Sequence, residues 1–388
     1  MTAGTRSVPA APEPDLRYSE EEDALRASVR ALLADRSDPA TVLAGLEADT
    51  PCDTGLWQAL ATGIGAAGLL VPEALGGAGA SAREAAVVLE ELGRSVARVP
   101  YLTSAVIAVT ALLGCDHGRE EVAAPLAALA EGRTVGVLAV PFTTAPGRVP
   151  DPAVRAERGG TLTGRATSVA DAAAAGLLLV PAQGPDGPAL YAVEATADGV
   201  RAAAVTPLDL TRPLTHLTFD GARGRLLATG DRARTAVERA LLTGAGLLAS
   251  EQLGVAEWCL AEAVRYTTRR TQFGRPVGSF QALKHRMAAL WLEVTSARAA
   301  ARYAADALAT DSPDAPVAVA VAQAYCAPVA VRAAEECVQL HGGIGMTWEH
   351  PAHLFLKRAK SEELALGSPG RHREALAGLV DLAPPPSA

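Results

Sequence analysis

The feature that most constrains the fold is a double change of texture along the chain. From about residue 229 to 380, Ala-, Leu-, Arg- and Glu-rich segments at 231–269, 281–309 and 313–340 are separated only by short Gly- or Pro-containing breaks. Alanine and the straight-chain residues favour helix, so this stretch predicts helices packed in a bundle. Pro328 is expected to kink or restart the last of them. Between 126 and 228, short apolar runs alternate with Gly, Pro and Asp. Thr134–Val140, Leu177–Val180, Leu190–Val193 and Leu217–Phe219 predict strands there. Residues 17–125 again read as helical. Ser19 precedes Glu20, Glu21 and Glu22, and Ser81 with Glu84 forms a capping box ahead of the apolar face Ala85, Val88, Leu89 and Leu92.

The expected class is therefore α+β and mainly α, in three parts. A helical domain covers 17–125, a β domain 126–228 and a helical bundle 229–380, between loose tails at 1–16 and 381–388. A chain of 388 residues is long enough for several cores. Its net charge of −8 argues against a nucleic-acid partner, which needs a basic surface. The five cysteines are scattered without a CxxC pair and read as reduced core thiols. No run of 18 residues is purely apolar, so no membrane span is expected, and the reading is a cytoplasmic protein. His341, His350 and His353 follow no HExxH or clustered ligand spacing, so no metal is expected.

Two segments carry chemistry. Residues 266–281 run from a charged helix end through a Gly/Pro turn into Phe280 and Gln281, and their arginines can fork onto phosphate oxygens. Residues 339–350 place three glycines in four positions, which lets backbone approach a ligand closely. On patterning alone, a solvated helix end and a helix-ending loop remain open readings of the two segments.

Taken together the segments resemble the acyl-CoA dehydrogenase family. The family pattern R-x-x-F-G-x-P-[IV]-G-x-F-Q matches 270–281, Q-x-x-G-G-x-G-x-x-x-E matches 339–349, and Gly68–Gly77 looks like the family's helical-domain motif. The resemblance spans nearly the whole chain. It implies an N-terminal helical domain, a middle β domain and a C-terminal four-helix bundle. It also implies FAD as cofactor and an acyl-CoA or other acyl thioester as substrate. Arg270, Gln272, Phe273 and Gln281 would meet the diphosphate and adenosine of a neighbouring subunit's FAD. Gln339, Gly342 and Gly343 would hold the same end. A homo- or hetero-oligomer follows, with an electron-transfer flavoprotein as electron acceptor.

The sequence departs from the family on the flavin-ring side. The strand that usually reads T-E-x-x-A-G-S-D is Val140–Gly147 here, without the acid or the Gly-Ser-Asp. In the next flavin segment, Leu162–Asp171, Ser168 stands where an aromatic is common. The two family positions for the catalytic base fall at Leu366 and Gly244. Glu251, two helical turns beyond Gly244, is the remaining acid in an apolar stretch and is nominated as base, against the alternative of a solvated or Arg-paired residue. Glu362 and Glu363 are expected on a solvated face with Lys357, Arg358 and Lys360. Three functions follow: an FAD-dependent dehydrogenase introducing an α,β double bond, a half-site partner subunit of a heteromeric enzyme, and a specialised-metabolism enzyme on the same fold.

Overall fold

The computed structural model describes residues 14–46, 50, 52–147 and 151–382. The expected loose tails lie mostly outside these residues. The first part is helical: α1 (Glu20–Arg36), α2 (Pro39–Gly45), α3 (Thr54–Gln58), α4 (Ala82–Ser95), α5 (Val109–Leu113) and α6 (Glu120–Ala130). Both capping boxes form, Ser19 with Glu22 and Ser81 with Glu84. Each satisfies first-turn amides that a helix cannot pair internally.

The middle part is one twisted sheet. It comprises β1 (Gly136–Leu138), β2 (Val154–Ala156), β3 (Thr161–Ala170), β4 (Leu177–Gly184), β5 (Gly187–Glu194), β6 (Val200–Val205), β7 (Leu214–Arg223) and β8 (Arg225–Thr229). The strand order is β6-β7-β3-β2-β4-β5-β8, with β1 beside β4. β4 and β5 form the hairpin that the Gln183–Gly187 turn predicts. Strands β2, β3, β6 and β8 were not legible in the sequence. β6 has one intermediate residue at each end and four exposed ones between, so it lacks the apolar face that marks a strand.

The third part holds α7 (Gly230–Arg269), α8 (Gln281–Ala309), α9 (Ala315–His341), α10 (Ala352–Leu364) and α11 (Pro369–Leu379). Helix α9 runs through Pro328 without a break, contrary to the expected restart. Its buried face packs against α7, α8, α10 and α11, and that packing outweighs the one lost backbone hydrogen bond. An apolar span covering α9 is long enough to cross a membrane, but it is 67% buried within the protein. That burial is what a bundle core helix requires.

The helical domain is locked onto the bundle where α4 crosses α7. A Cβ at Gly254 would collide with the carbonyl of Glu90, and one at Gly93 with the carbonyl of Glu251. Only glycine allows two helix backbones to meet this closely. This crossing fixes the middle of α7, and therefore Glu251, against the helical domain.

Candidate active site

The residues assigned to the flavin ring and the base come together, but they close on one another. The Leu366 N–H donates to the Phe142 carbonyl at 2.7 Å, and the Phe142 N–H donates to the Ser168 carbonyl at 3.0 Å. These bonds stitch the loop after α10 directly to both flavin-side runs of the sheet. Leu366 is buried and has a φ of +53°, a conformation that branched side chains avoid. Ser168 also has positive φ, and its N–H donates to His216 Nδ1 at 3.0 Å.

Neither family base position is open. A Cβ on Gly244 would lie 2.7 Å from Ile107 Cγ1 and 3.3 Å from Leu366 Cδ1. The two positions therefore pack against each other, with an aliphatic chain where a carboxylate would act.

Glu251 lies beside this closed region, in a buried ion cluster between sheet and bundle. Arg212, just before β7, places Nη2 at 2.7 and 2.9 Å from the two Glu251 oxygens. Arg358 on α10 reaches Glu251 Oε1 at 2.5 Å and Asp209 Oδ2 at 2.7 Å. Glu362, one turn beyond Arg358, is 3.4 Å from Arg212. All five side chains are at most 4% exposed. Arg358 and Glu362 are thus not on a solvated face, which corrects the sequence expectation. A charge pattern on one helix cannot reveal partners supplied by another domain. Lys360 and Glu363 do pair partly exposed, at 3.5 Å.

Burial opposes ionisation of Glu251, yet the Arg212 and Arg358 guanidiniums outweigh it and hold the carboxyl below its usual range. A carboxylate gripped this way is a weak base. Burial, reinforced by the Glu251 charge, pushes Glu362 well above the usual carboxyl range. Asp171, which accepts from the Thr103 hydroxyl at 2.7 Å, is also raised by burial. The cluster thus sets two guanidiniums, Arg212 and Arg358, among four buried acids, and burial opposes ionisation of Glu362 and Asp171 while the guanidiniums favour it at Glu251.

A cavity of about 530 Å³ opens nearby, lined by Ala145, Leu242, Val319, His372 and Leu379, with Arg239 and Arg371 also on its wall. A second of about 520 Å³ shares Ala145 and Arg371 and adds Thr143, Thr144 and Gly367. Glu251 lines neither.

The adenine-end residues are arranged differently. Arg270 caps α7 and accepts from the Val277 N–H at 2.8 Å, which closes a tight hairpin over Phe273 and Gly274. Arg270, Gln272 and Gln281 are exposed, and Phe273 is 90% exposed. Gly342 ends α9 with φ +63°, and open space surrounds both it and Gly343. Gln339 is exposed on the last turn before it. The two segments meet at one end of the bundle, where the Tyr266 and His341 rings lie 4.2 Å apart. For FAD the fit is therefore divided: forked and backbone donors stand free for a nucleotide's phosphates, while on the ring side Leu366 bonds directly to Phe142 and neither family base position carries an acid, although Thr143, Thr144 and Gly367 beside that bond line a cavity.

Close by, Glu262, His341 and His350 bring one potential ligand atom each within 4.8 Å of one another. Sequence reading missed this grouping because Glu262 lies on α7, far along the chain from both histidines.

Comparison with known proteins agrees with this architecture. Residues 19–132 match the N-terminal domain and residues 234–379 the C-terminal domain of acyl-CoA dehydrogenase. The chain is 36% identical over 352 residues to the acyl-CoA dehydrogenase IpdE2 of Mycolicibacterium smegmatis, covering 90% of this chain and 96% of that protein. Among solved structures it is similar to the ChsE4–ChsE5 complex from Mycobacterium tuberculosis, with TM-score 0.83, 28% identity and coverage of 96% of this chain and 100% of that one. It is also similar to a variant of the Tcur3481–Tcur3483 steroid acyl-CoA dehydrogenase, with TM-score 0.81, 29% identity and coverage of 93% and 98%. With both terminal domains matched and the helix–sheet–helix order in place, the chain belongs to the acyl-CoA dehydrogenase family of flavoprotein oxidoreductases, which act on CH–CH bonds.

Proposed function

We propose that this chain is the supporting subunit of a mixed acyl-CoA dehydrogenase-type assembly. It lends Arg270, Gln272, Phe273, Gln281, Gln339, Gly342 and Gly343 to the adenine and diphosphate end of an FAD whose ring lies in a neighbouring chain. That neighbour supplies the base and introduces the α,β double bond into an acyl thioester. FAD bound there would supply the hydride acceptor, with an electron-transfer flavoprotein as the class of oxidant that reoxidises it. In this reading Glu251 anchors the ion cluster and does not touch substrate.

The observation that carries the reading is the Leu366–Phe142 hydrogen bond with Gly244 packed behind it. It joins the flavin-side run to the family base position, where no acid stands, while the adenine-end donors stay exposed, and that contrast supports the reading. Apolar side chains around those donors support a subunit contact there: Met346 is 80% exposed and Trp348 61%. Patches of this kind mark interaction surfaces. The likeness to two complexes named for pairs of proteins supports a heteromeric arrangement.

The test is co-purification with a second acyl-CoA dehydrogenase-type subunit that retains the base and the flavin-side motif. Arg270→Ala in this chain removes a charge-assisted contact worth about 1.5–3 kcal/mol, so FAD binding to the complex is expected to weaken about tenfold to a hundredfold. Unchanged FAD affinity would remove this chain from the cofactor site.

A further inference from the structure

We propose that Glu262, His341 and His350 form a binding site for a divalent transition-metal ion of the zinc type. The three ligands come from three segments. Glu262 lies near the end of α7, His341 is the last residue of α9, and His350 sits in the turn before α10. An ion there would clamp these segments beside the Gly342–Gly343 backbone.

The geometry points to a metal more than to hydrogen bonding. His341 Nε2 and His350 Nε2 lie 3.5 and 3.6 Å from the same oxygen, Glu262 Oε1. These separations exceed a hydrogen bond of about 2.9 Å. They are close to the roughly 3.4 Å that separates ligand atoms around a tetrahedral zinc with bonds of about 2.0–2.2 Å.

The second observation concerns His341 itself. Its Nδ1 lies 2.7 Å from the Cys337 carbonyl, so Nδ1 carries the proton and donates there. That bond fixes the ring and turns the Nε2 lone pair toward Glu262. The ring is buried, and Nε2 has no hydrogen-bond partner. A buried imidazole held by a backbone carbonyl on one nitrogen and free on the other is the arrangement metal-binding histidines use.

The surroundings are compatible with an added cation. Arg265 Nε holds Glu262 Oε2 at 2.7 Å, on the side of the carboxylate away from that shared oxygen, although its Nη2 also approaches Oε1 and must yield when an ion binds. His350 Nδ1 accepts from the Ala352 N–H at 3.2 Å. Coordination through Nε2 moves the His350 proton to Nδ1 and releases that first-turn amide. The His350 side chain is 14% exposed, which leaves a route for the ion and for a water as fourth ligand.

The test uses the full-length chain without an affinity tag, stripped with a chelator and titrated with Co²⁺, which stands in for zinc and absorbs visibly in low-symmetry sites. The expected result is one Co²⁺ per chain with a visible band that Zn²⁺ abolishes. Because His341 is a core residue whose loss could prevent folding, the variants are His350→Gln and Glu262→Gln, with folding checked by circular dichroism. Each is expected to weaken binding at least about tenfold, while His353→Gln binds as the parent does. No stoichiometric Co²⁺ uptake by the parent protein, or equal affinity in His350→Gln and Glu262→Gln, would overturn the proposal.

Discussion

The backbone N–H of Leu366 and the carbonyl of Phe142 are joined by a 2.7 Å hydrogen bond across the seam between sheet and bundle. In the acyl-CoA dehydrogenase pattern one of these residues belongs to the base position and the other to the flavin-side strand. Here they meet directly, with Gly244 packed against the Leu366 side chain. The seam is a structural joint, and its chemistry is consistent with that role.

Restoring an acid at the joint is therefore expected to cost stability without creating activity. Leu366→Glu places an unpartnered carboxyl in a site that is 1% exposed. We expect a loss of about 2–5 kcal/mol in urea unfolding, and no acyl-CoA-dependent flavin bleaching by this chain alone. Bleaching would mean the ring side opens readily.

The ion cluster gives a second expectation. Arg358→Met leaves Glu251 and Asp209 without a main partner in a dry site. Breaking a buried pair from one side costs about 3–5 kcal/mol, read as a lowered urea midpoint at unchanged slope. Glu251→Gln should also destabilise, yet the assembled complex should keep its turnover once folded. Abolished turnover with full FAD occupancy would restore Glu251 as the base.

Acid and alkali should both weaken this cluster, each through a different group. The folded-state pKa of Glu251 lies below its unfolded value, so its ion pairs stabilise fully above the unfolded value and fade as pH falls through the folded one. Glu362 is raised, so its contribution is present below its unfolded pKa and is lost as pH rises through the folded one. Glu362→Gln cannot ionise. It is expected to flatten the decline in stability as pH rises above the ordinary carboxyl range, measured by urea midpoints. A decline as steep as the parent's would show that Glu362 is not the group responsible.

Gly254→Val tests the docking of the helical domain. The new side chain would overlap the Glu90 carbonyl, which belongs to helix backbone and cannot turn aside. Soluble expression should collapse, or the unfolding midpoint should drop steeply, whereas Gly378→Ala, in open space, should be near neutral.

The helices were legible because their signals are local. The Ser19 and Ser81 caps and the extent of α8 can be read from neighbouring residues. The adenine-end segments were legible for the same reason: each is one continuous motif. The ion cluster was not, because Arg212, Glu251 and Arg358 come from three distant segments: Glu251 stood out as an acid in an apolar stretch, but nothing local paired it with Arg212, and the run around Arg358 looks like a solvated face. The Glu262–His341–His350 grouping was missed on the same ground. Strand β3 escaped notice because Ser168 and its bulge interrupt the alternation that marks a strand.

FAD content distinguishes a supporting subunit from a self-sufficient dehydrogenase. The chain purified alone is expected to hold no stoichiometric flavin, while the mixed complex holds one FAD per dehydrogenase partner and none assignable to the ring side of this chain. A homo-oligomer of this chain carrying one FAD per subunit, reduced by an acyl-CoA, would contradict the account.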